Sequence, residues 1–597
     1  MARAVTPGSR QPWLGFAASV LVQVAGGTGY TFPLYSHSLK KAMGYKQRQI
    51  TLLGVANDFG ENFGIIAGLL CNRFPPWSIL LVGATCCFLG FGALWSAVSL
   101  TFPNLHYCLL WLALCIATNS SAWFGTGVIV TNLRNFPHRR GTVAGILKGY
   151  AGLGGAVYTI LYTGVLHGSS TKLLWFMAVG VPIVSLATMF FVRPFVPPLE
   201  TNHPSEQRHF MFIQIASVIL GIYILFYTIV DYLLPLSDAV ISVLVGVMIL
   251  LLFAPLAIPI KMTLFPSRTE DNNTEENEPL LAASSSSNDP GDAQENEQSQ
   301  AASSSNDPGR TQEIEQLVAA SQEIVPLLAA STTNDPENAP EISEGFDLNA
   351  LLAEEESGTR RRRPRRGENF EFHQALIKAD FWLLFMAYFL GVGSGVTVLN
   401  NLAQIGVAAG LEDTTLLLCI FSFCNFVGRI GGGSASEYLA RSRLVSRTIW
   451  MTATQAIMVI AFLLYASDIN GTLYVSTGML GVGYGVQFSV MLPTVSEIFG
   501  LKHFGLLYNF MLLGNPLGAF LFSGLLAGYL YDKEAAKQLP DSSTCLGPNC
   551  FRSTFLFLAG MCTLGSLLSS ILSTRLTSVY QNLYAAGSPR TPRAPLR

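Results

Sequence analysis

Residues Phe136–Ala156 read FPHRRGTVAGILKGYAGLGGA, and this stretch decides the fold. A short basic loop, His138-Arg139-Arg140, opens onto an apolar segment carrying Gly141, Gly145, Gly149, Gly152, Gly154 and Gly155. Small residues let helix backbones approach closely in lipid. One cation, Lys148, lies inside the segment. A lysine there is unfavourable unless it faces protein or water, which makes it a functional candidate. A partner stretch, Phe504–Phe520, reads FGLLYNFMLLGNPLGAF. At one constant offset Gly141 falls on Gly505, Leu153 on Leu517 and Gly154 on Gly518. In an earlier segment the same offset places Gly64 on Gly428. A parallel repeat of this kind is what a two-halved secondary transporter shows.

Working outward, the chain has 597 residues, 50% of them hydrophobic and only 12% charged. A soluble chain carries about 25% charged residues. Long, nearly charge-free runs recur, so the expected class is an all-α polytopic membrane protein. The cysteines fall mostly in apolar runs and read as small core residues. Cys545 and Cys550 are the exception, in a polar loop expected on the non-cytosolic side, where a disulfide is permitted. Their spacing suggests a local staple. No motif for nucleotide hydrolysis, metal clustering or a nucleophilic triad occurs, so the expectation is no enzyme, no cofactor, no metal and no nucleic-acid partner. Gly391–Gly395 and Gly481–Gly485 look like dinucleotide loops but lack the strand–turn–helix context.

Windows of about 20 apolar residues give fourteen helices, laid out as six, two, a long loop, and six. The expected organisation is a first six-helix bundle over 1–193, two additional helices over 194–260, a disordered loop over 261–378, a second six-helix bundle over 379–575 and a tail over 576–597. Placing the N-terminus inside puts Arg73, Arg139, Arg140, Arg193, Arg441, Arg443 and Lys502 on the cytosolic side, following the lysine and arginine bias. Lys40, Lys41, Lys46 and Arg48, after the first helix, run against that bias.

The long loop is rich in Ser, Asn, Glu, Ala and Pro and cannot bury enough apolar surface to order itself. It carries Glu276-Asn-Glu-Pro-Leu280-Leu281, Glu323-Ile-Val-Pro-Leu327-Leu328 and Asp347-Leu-Asn-Ala-Leu351-Leu352. Each fits an acid-x-x-x-Leu-Leu sorting signal, which clathrin-type adaptor complexes read. Three copies point to an endomembrane destination, the vacuolar membrane first and the plasma membrane as the alternative. The competing explanation is duplication of a neutral linker. Arg360–Arg363 with Arg365 and Arg366 form a basic cluster suited to anionic membrane lipid, at about 1 kcal/mol per residue.

PWLGFAASVLVQVAGGTGYTFPLYS, GILKGYAGLGGA, QALIKADFWLLFMAYFLGVGSGVTVLNNLAQIG and EIFGLKHFGLLYN resemble the plant nodulin-like, nuclear-fusion-defective-type branch of the major facilitator superfamily. The resemblance covers nearly every helix and implies two six-helix bundles with a small-molecule cargo. A more distant similarity to oxalate/formate-type antiporters implies small organic anions. The superfamily's loop motif survives in degraded form from Gly433 through Glu437 to Arg441, which implies gating by that acid and base. The corresponding part of the first half, Gly64 to Arg73, has no acid.

Asp58 and Glu61 share one face of the second helix by their i, i+3 spacing. Helical rise places Glu61 roughly 18 Å from the external end and Lys148 roughly 10 Å from the cytosolic end. In a core of about 30 Å the two meet at nearly one depth. We expect both to face a central cavity, Lys148 holding an anionic group and Glu61 or Asp58 exchanging a proton, since a low-dielectric site favours the neutral acid. The alternative is a buried ion pair that only fixes packing. In the second half the deep residues are neutral, with Leu512 in the place of Lys148. They are Asn400, Asn401, Gln404, Gln487, Asn509 and Asn515; Asn400, Asn401, Gln487 and Asn509 would bind cargo, or else any of the six acts as interhelical glue at about 0.6 kcal/mol each. Arg429 is expected toward the cytosolic end, as a gate or a lipid-headgroup contact. The reading is a secondary transporter; the rival is a non-transporting receptor or scaffold signalling through the long loop.

Overall fold

The structure is a computed structural model describing residues 3–4, 11–196 (46, 100 and 102–105 apart), 204–264 (235 apart), 364–538 (412–413, 468 and 470 apart) and 545–584. The dileucine motifs from Glu276 to Leu352, and Arg360–Arg363, lie outside the described residues.

The first half contains α1 (Gln11–Ala25), α2 (Phe32–Met43), α3 (Gln47–Asn62), α4 (Ile65–Leu70), α5 (Pro76–Val98), α6 (Tyr107–Asn135), α7 (Arg140–Ile160) and α8 (Ser170–Thr188). Two further helical stretches follow, α9 (Pro204–Leu233) and the bent pair α10 (Asp238–Leu252) and α11 (Ala257–Leu264). The second half contains the short α12 (Phe372–Leu376), then α13 (Ala379–Ala408), α14 (Thr415–Ser442), α15 (Thr448–Ser467) and α16 (Thr472–Phe499). It ends with α17 (Phe504–Leu512), α18 (Gly514–Gly518), α19 (Gly528–Gln538) and the long α20 (Asn549–Tyr584). The only strands among the described residues are two residues each: Arg3–Ala4 pairs parallel with Phe195–Val196.

Ten helices among the described residues are long and apolar enough to cross a membrane, or eleven with α10–α11 taken as one span bent by 41°. Among the described residues, the fourteen expected helices are therefore not all matched by a single helix of that length and hydropathy. The expected first helix is broken by a 3₁₀ turn at Gly27–Thr31, and the second at Phe63–Gly64 between α3 and α4. The fifth ends in a π-helical turn at Leu161–Val165. These breaks follow packing. A methyl group on Gly27 would sit 2.7 Å from the Gly154 Cα, and one on Gly64 would run into the Asn509 side chain. Large apolar side chains stay exposed on the outer flanks, Leu250 at 72% and Phe226 at 61% among them, as a lipid-facing surface requires.

The two halves meet along two glycine crossings. At α7 with α14, a methyl on Gly433 would lie 2.5 Å from the Gly141 carbonyl oxygen. At α4 with α17, a methyl on Gly68 would run into the Gly505 carbonyl. Gly141 and Gly505 are the residues paired by the sequence repeat, so the crossings are repeat-related. The additional α9 lies against both halves. Its Gln214 Nε2 donates to Ser434 Oγ of α14 at 2.5 Å, while Phe210 packs on Trp13 and Phe136 of the first half.

Candidate functional site

Between the halves lies a small cavity of about 30 Å³. One water needs about 10–15 Å³, so this space suits a few waters and no sugar-sized solute. Glu61, Lys148 and Arg429 all line it, with Tyr30, Phe488 and Tyr508. Each arrives by a different route. Tyr30 comes from the 3₁₀ turn that ends α1, Glu61 from the last turn of α3, Lys148 from mid-α7 and Arg429 from α14.

Arg429 is 1% exposed and organises the polar contacts. Its guanidinium donates to the Lys148 carbonyl oxygen at 2.7 Å, the Tyr30 hydroxyl at 2.9 Å and Asn425 Oδ1 at 2.9 Å, and it lies 4.8 Å above the Phe488 ring. Lys148 Nζ sits 5.5 Å from the centre of the Tyr508 ring. Glu61 is close enough to feel both cations, yet among the described residues neither Glu61 nor Lys148 Nζ forms a salt bridge. Two amides complete the wall. Gln23 Nε2 and Asn515 Oδ1 are buried beside the cavity without hydrogen-bond partners. The cavity therefore offers two cations, a carboxyl group, an unpaired donor and an unpaired acceptor between aromatic rings. That set can hold a small anion and pass it a proton.

The sequence placed Arg429 toward the end of its helix, and the structure moves it to the middle. α14 runs from Thr415 to Ser442, so Arg429 stands halfway along the span. Asp58 lies one turn from Glu61 toward the opposite face, where its Oδ2 accepts from Asn400 Nδ2 across the halves at 2.8 Å. Asn509 likewise bonds across the halves, to Thr126 at 2.9 Å. Asn401 and Gln487 do not reach the cavity. Asn401 bonds to Thr397 and Ser523, and Gln487 to Met451 and Thr454, all within the second half.

At the basic face the halves are latched. Glu437 Oε2 accepts the Gly141 backbone N–H at 2.7 Å. Within the second half the same carboxylate binds Arg441 Nε at 2.7 Å and Arg447 Nη2 at 2.8 Å. Arg447 is also held by Glu497, which accepts the hydroxyls of Tyr580 and Tyr584, each at 2.7 Å. Arg140 Nη1 donates across to the Ser496 carbonyl at 3.1 Å, and Arg134 Nη2 to the Leu501 carbonyl at 3.2 Å. Arg447, Glu497 and the two tyrosines escaped the sequence reading, because they lie up to 147 residues beyond Glu437 with no fixed spacing. Tyr30 and Gln23 escaped too; their signal was a polar side chain inside the first apolar run. At the other face, Cys545 and Cys550 are joined by a disulfide.

Comparison with known proteins follows the same division. Residues 12–260 match the Nodulin-like family model, and residues 368–582 match that of the NFD4 C-terminal domain. Protein NUCLEAR FUSION DEFECTIVE 4 of Arabidopsis thaliana is 25% identical, covering 96% of this chain and 90% of that protein. Probable transporter mch1 of Emericella nidulans is 23% identical over 31% of this chain and 35% of that protein. Among solved structures, the proton:xylose symporter XylE of the major facilitator superfamily aligns with a TM-score of 0.48 at 11% identity, covering 94% of this chain and 95% of that one.

Proposed function

We propose, from the matches of residues 12–260 to the Nodulin-like model and 368–582 to the NFD4 C-terminal domain model, that the chain is a secondary transporter of a small organic anion, coupled to protons. The observation that carries this reading is the cavity between the halves, where Lys148 and Arg429 face Glu61 without a salt bridge to fix them. A charge pair kept only for packing would be closed and hydrogen-bonded, because an unpaired buried charge is strongly unfavourable. Here Arg429 is anchored and Lys148 is left for cargo.

Alternating access follows from the two faces. The Gly141–Glu437 latch closes the basic face and the Asp58–Asn400 bond closes the other. Cargo entering from one face would break one of these contacts while the other holds. Glu61, one turn below Asp58, would take up its proton when the opposite face opens and release it to water at the basic face when that face opens in turn. Asn515 and Gln23 would satisfy the anion's remaining polar atoms, while Asn400 and Asn509 act at the contact between halves.

The direct test is uptake into proteoliposomes of a panel of small carboxylates under an imposed pH gradient. Lys148→Ala should abolish anion uptake, and Glu61→Gln should remove its pH dependence. Undiminished, pH-dependent uptake in both variants at equal reconstitution would end the proposal.

The three acidic dileucine motifs support delivery to the vacuolar membrane through adaptor complexes. Replacing Leu280, Leu281, Leu327, Leu328, Leu351 and Leu352 with alanine should move the protein to the plasma membrane. Unchanged location would dispose of the sorting claim.

A further inference from the structure

A second, much larger cavity opens at the basic face, away from the pathway between the halves. It measures about 1250 Å³ and is walled by the α4–α5 loop, the ends of α6 and α8, and α11. Among the described residues its charged lining is all arginine: Arg73, Arg134 and Arg193. Arg134 is occupied, donating to Asn72 Oδ1 at 2.6 Å and to the Leu501 and Lys502 carbonyls. The other two have guanidinium groups to spare. Arg193 is tethered through Nε to the Phe190 carbonyl at 2.7 Å, which aims the side chain without using its Nη groups. Arg73 is exposed, and its guanidinium makes no hydrogen bond to a described residue; only its backbone N–H is used, donating to the Leu70 carbonyl at 2.9 Å.

The rest of the wall is apolar and open to the side. Trp77 is 43% exposed, Ile260 54% and Leu264 67%. Ile260 and Leu264 stand there because the additional helix pair bends by 41° at Phe253–Pro255. The bend turns α11 across the mouth of the cavity. The additional helices therefore build a wall that the two bundles alone lack.

We propose that this cavity is a binding site for an anionic phospholipid of the leaflet at the basic face. Arg73 and Arg193 hold the phosphate, with bidentate geometry available to each guanidinium. The acyl chains leave past Trp77, Ile260 and Leu264 onto the lipid-facing flank. Basic pockets between membrane helices on this face recognise lipid headgroups. A soluble phosphate would satisfy the arginines but leave the broad apolar mouth unexplained.

The test uses the full chain reconstituted in phosphatidylcholine vesicles doped with a minority of phosphatidylserine or phosphatidylinositol. Lipid retained after mild extraction is counted by native mass spectrometry. The wild type should retain anionic lipid over phosphatidylcholine. R73A/R193A should bind it roughly thirtyfold more weakly, from about 1 kcal/mol for each arginine at 1.4 kcal/mol per tenfold. R443A, which removes an exposed charge outside the cavity, should retain it as the wild type does. Ile260→Trp keeps every charge but fills the mouth, so it should also lose lipid, and it decides the matter if the double variant does not fold. Equal retention in all variants overturns the proposal. So does displacement of the lipid by millimolar inorganic phosphate with no dependence on Ile260, which would make the site one for free phosphate.

Discussion

Replacing Glu437 with glutamine isolates the latch between the halves. Of the three contacts its carboxylate makes, those to Arg441 and Arg447 lie within the second half and persist whichever face is open. Only the bond from the Gly141 N–H, at 2.7 Å, joins one half to the other. A hydrogen bond to a charged acceptor contributes about 1.5–3 kcal/mol and a neutral one about 0.5–1.5 kcal/mol. Glutamine keeps the acceptor and loses the charge, so the closed basic face loses about 1–1.5 kcal/mol, a roughly five- to twelvefold shift. The contacts from Arg140 to Ser496 and from Arg134 to Leu501 remain and keep closure from vanishing. Spin labels on Phe74→Cys and Arg443→Cys, with Cys108 changed to serine, report the distance between halves at this face. The wide-distance population should rise by that factor in Glu437→Gln. An unchanged distribution in a variant that melts normally would refute the latch.

The same labels serve two further tests. Gly433→Ala places a methyl 2.5 Å from the Gly141 carbonyl oxygen and 2.7 Å from the Gly145 Cα. Overpacking of this kind costs about 1–3 kcal/mol, so the basic face should open and protein stability should fall. His138, in the loop before α7, is held below its ordinary value by burial and by the neighbouring charges of Arg441, Arg140 and Arg139, against an opposing pull from Glu437. A lowered histidine contributes its stability above the unfolded value, about 6.5, and loses it as pH falls through the folded value. Acidifying the basic face should therefore open it below about pH 6.5, and His138→Gln should flatten that response in the label distances.

The fold was legible where chemistry and spacing coincide. Gly141 and Gly505, matched by a constant offset, are the residues at which the halves cross. Lys148 and Glu61, each unfavourable in lipid, line one cavity. What the sequence hid is longer-range or finer. The breaks at Gly27–Thr31 and Phe63–Gly64 come from backbones pressed together by tertiary packing, which an apolar window averages away. Arg429 was misplaced because apolar patterning fades after Gly433, while a helix carrying Glu437 and Arg441 runs on to Ser442. Arg447 is almost fully buried, and only folding brings Glu497, Tyr580 and Tyr584 around it.

The central claim is that Glu61 carries the proton while Lys148, beside the anchored Arg429, carries the anion. Proton flux into vesicles loaded with a pH-sensitive dye tests it most directly, once uptake has identified a transported anion. Adding that anion outside should move protons in wild-type vesicles, and in Glu61→Gln vesicles should drive anion exchange with no proton movement. Proton flux that persists in Glu61→Gln at the wild-type ratio to anion would contradict the account.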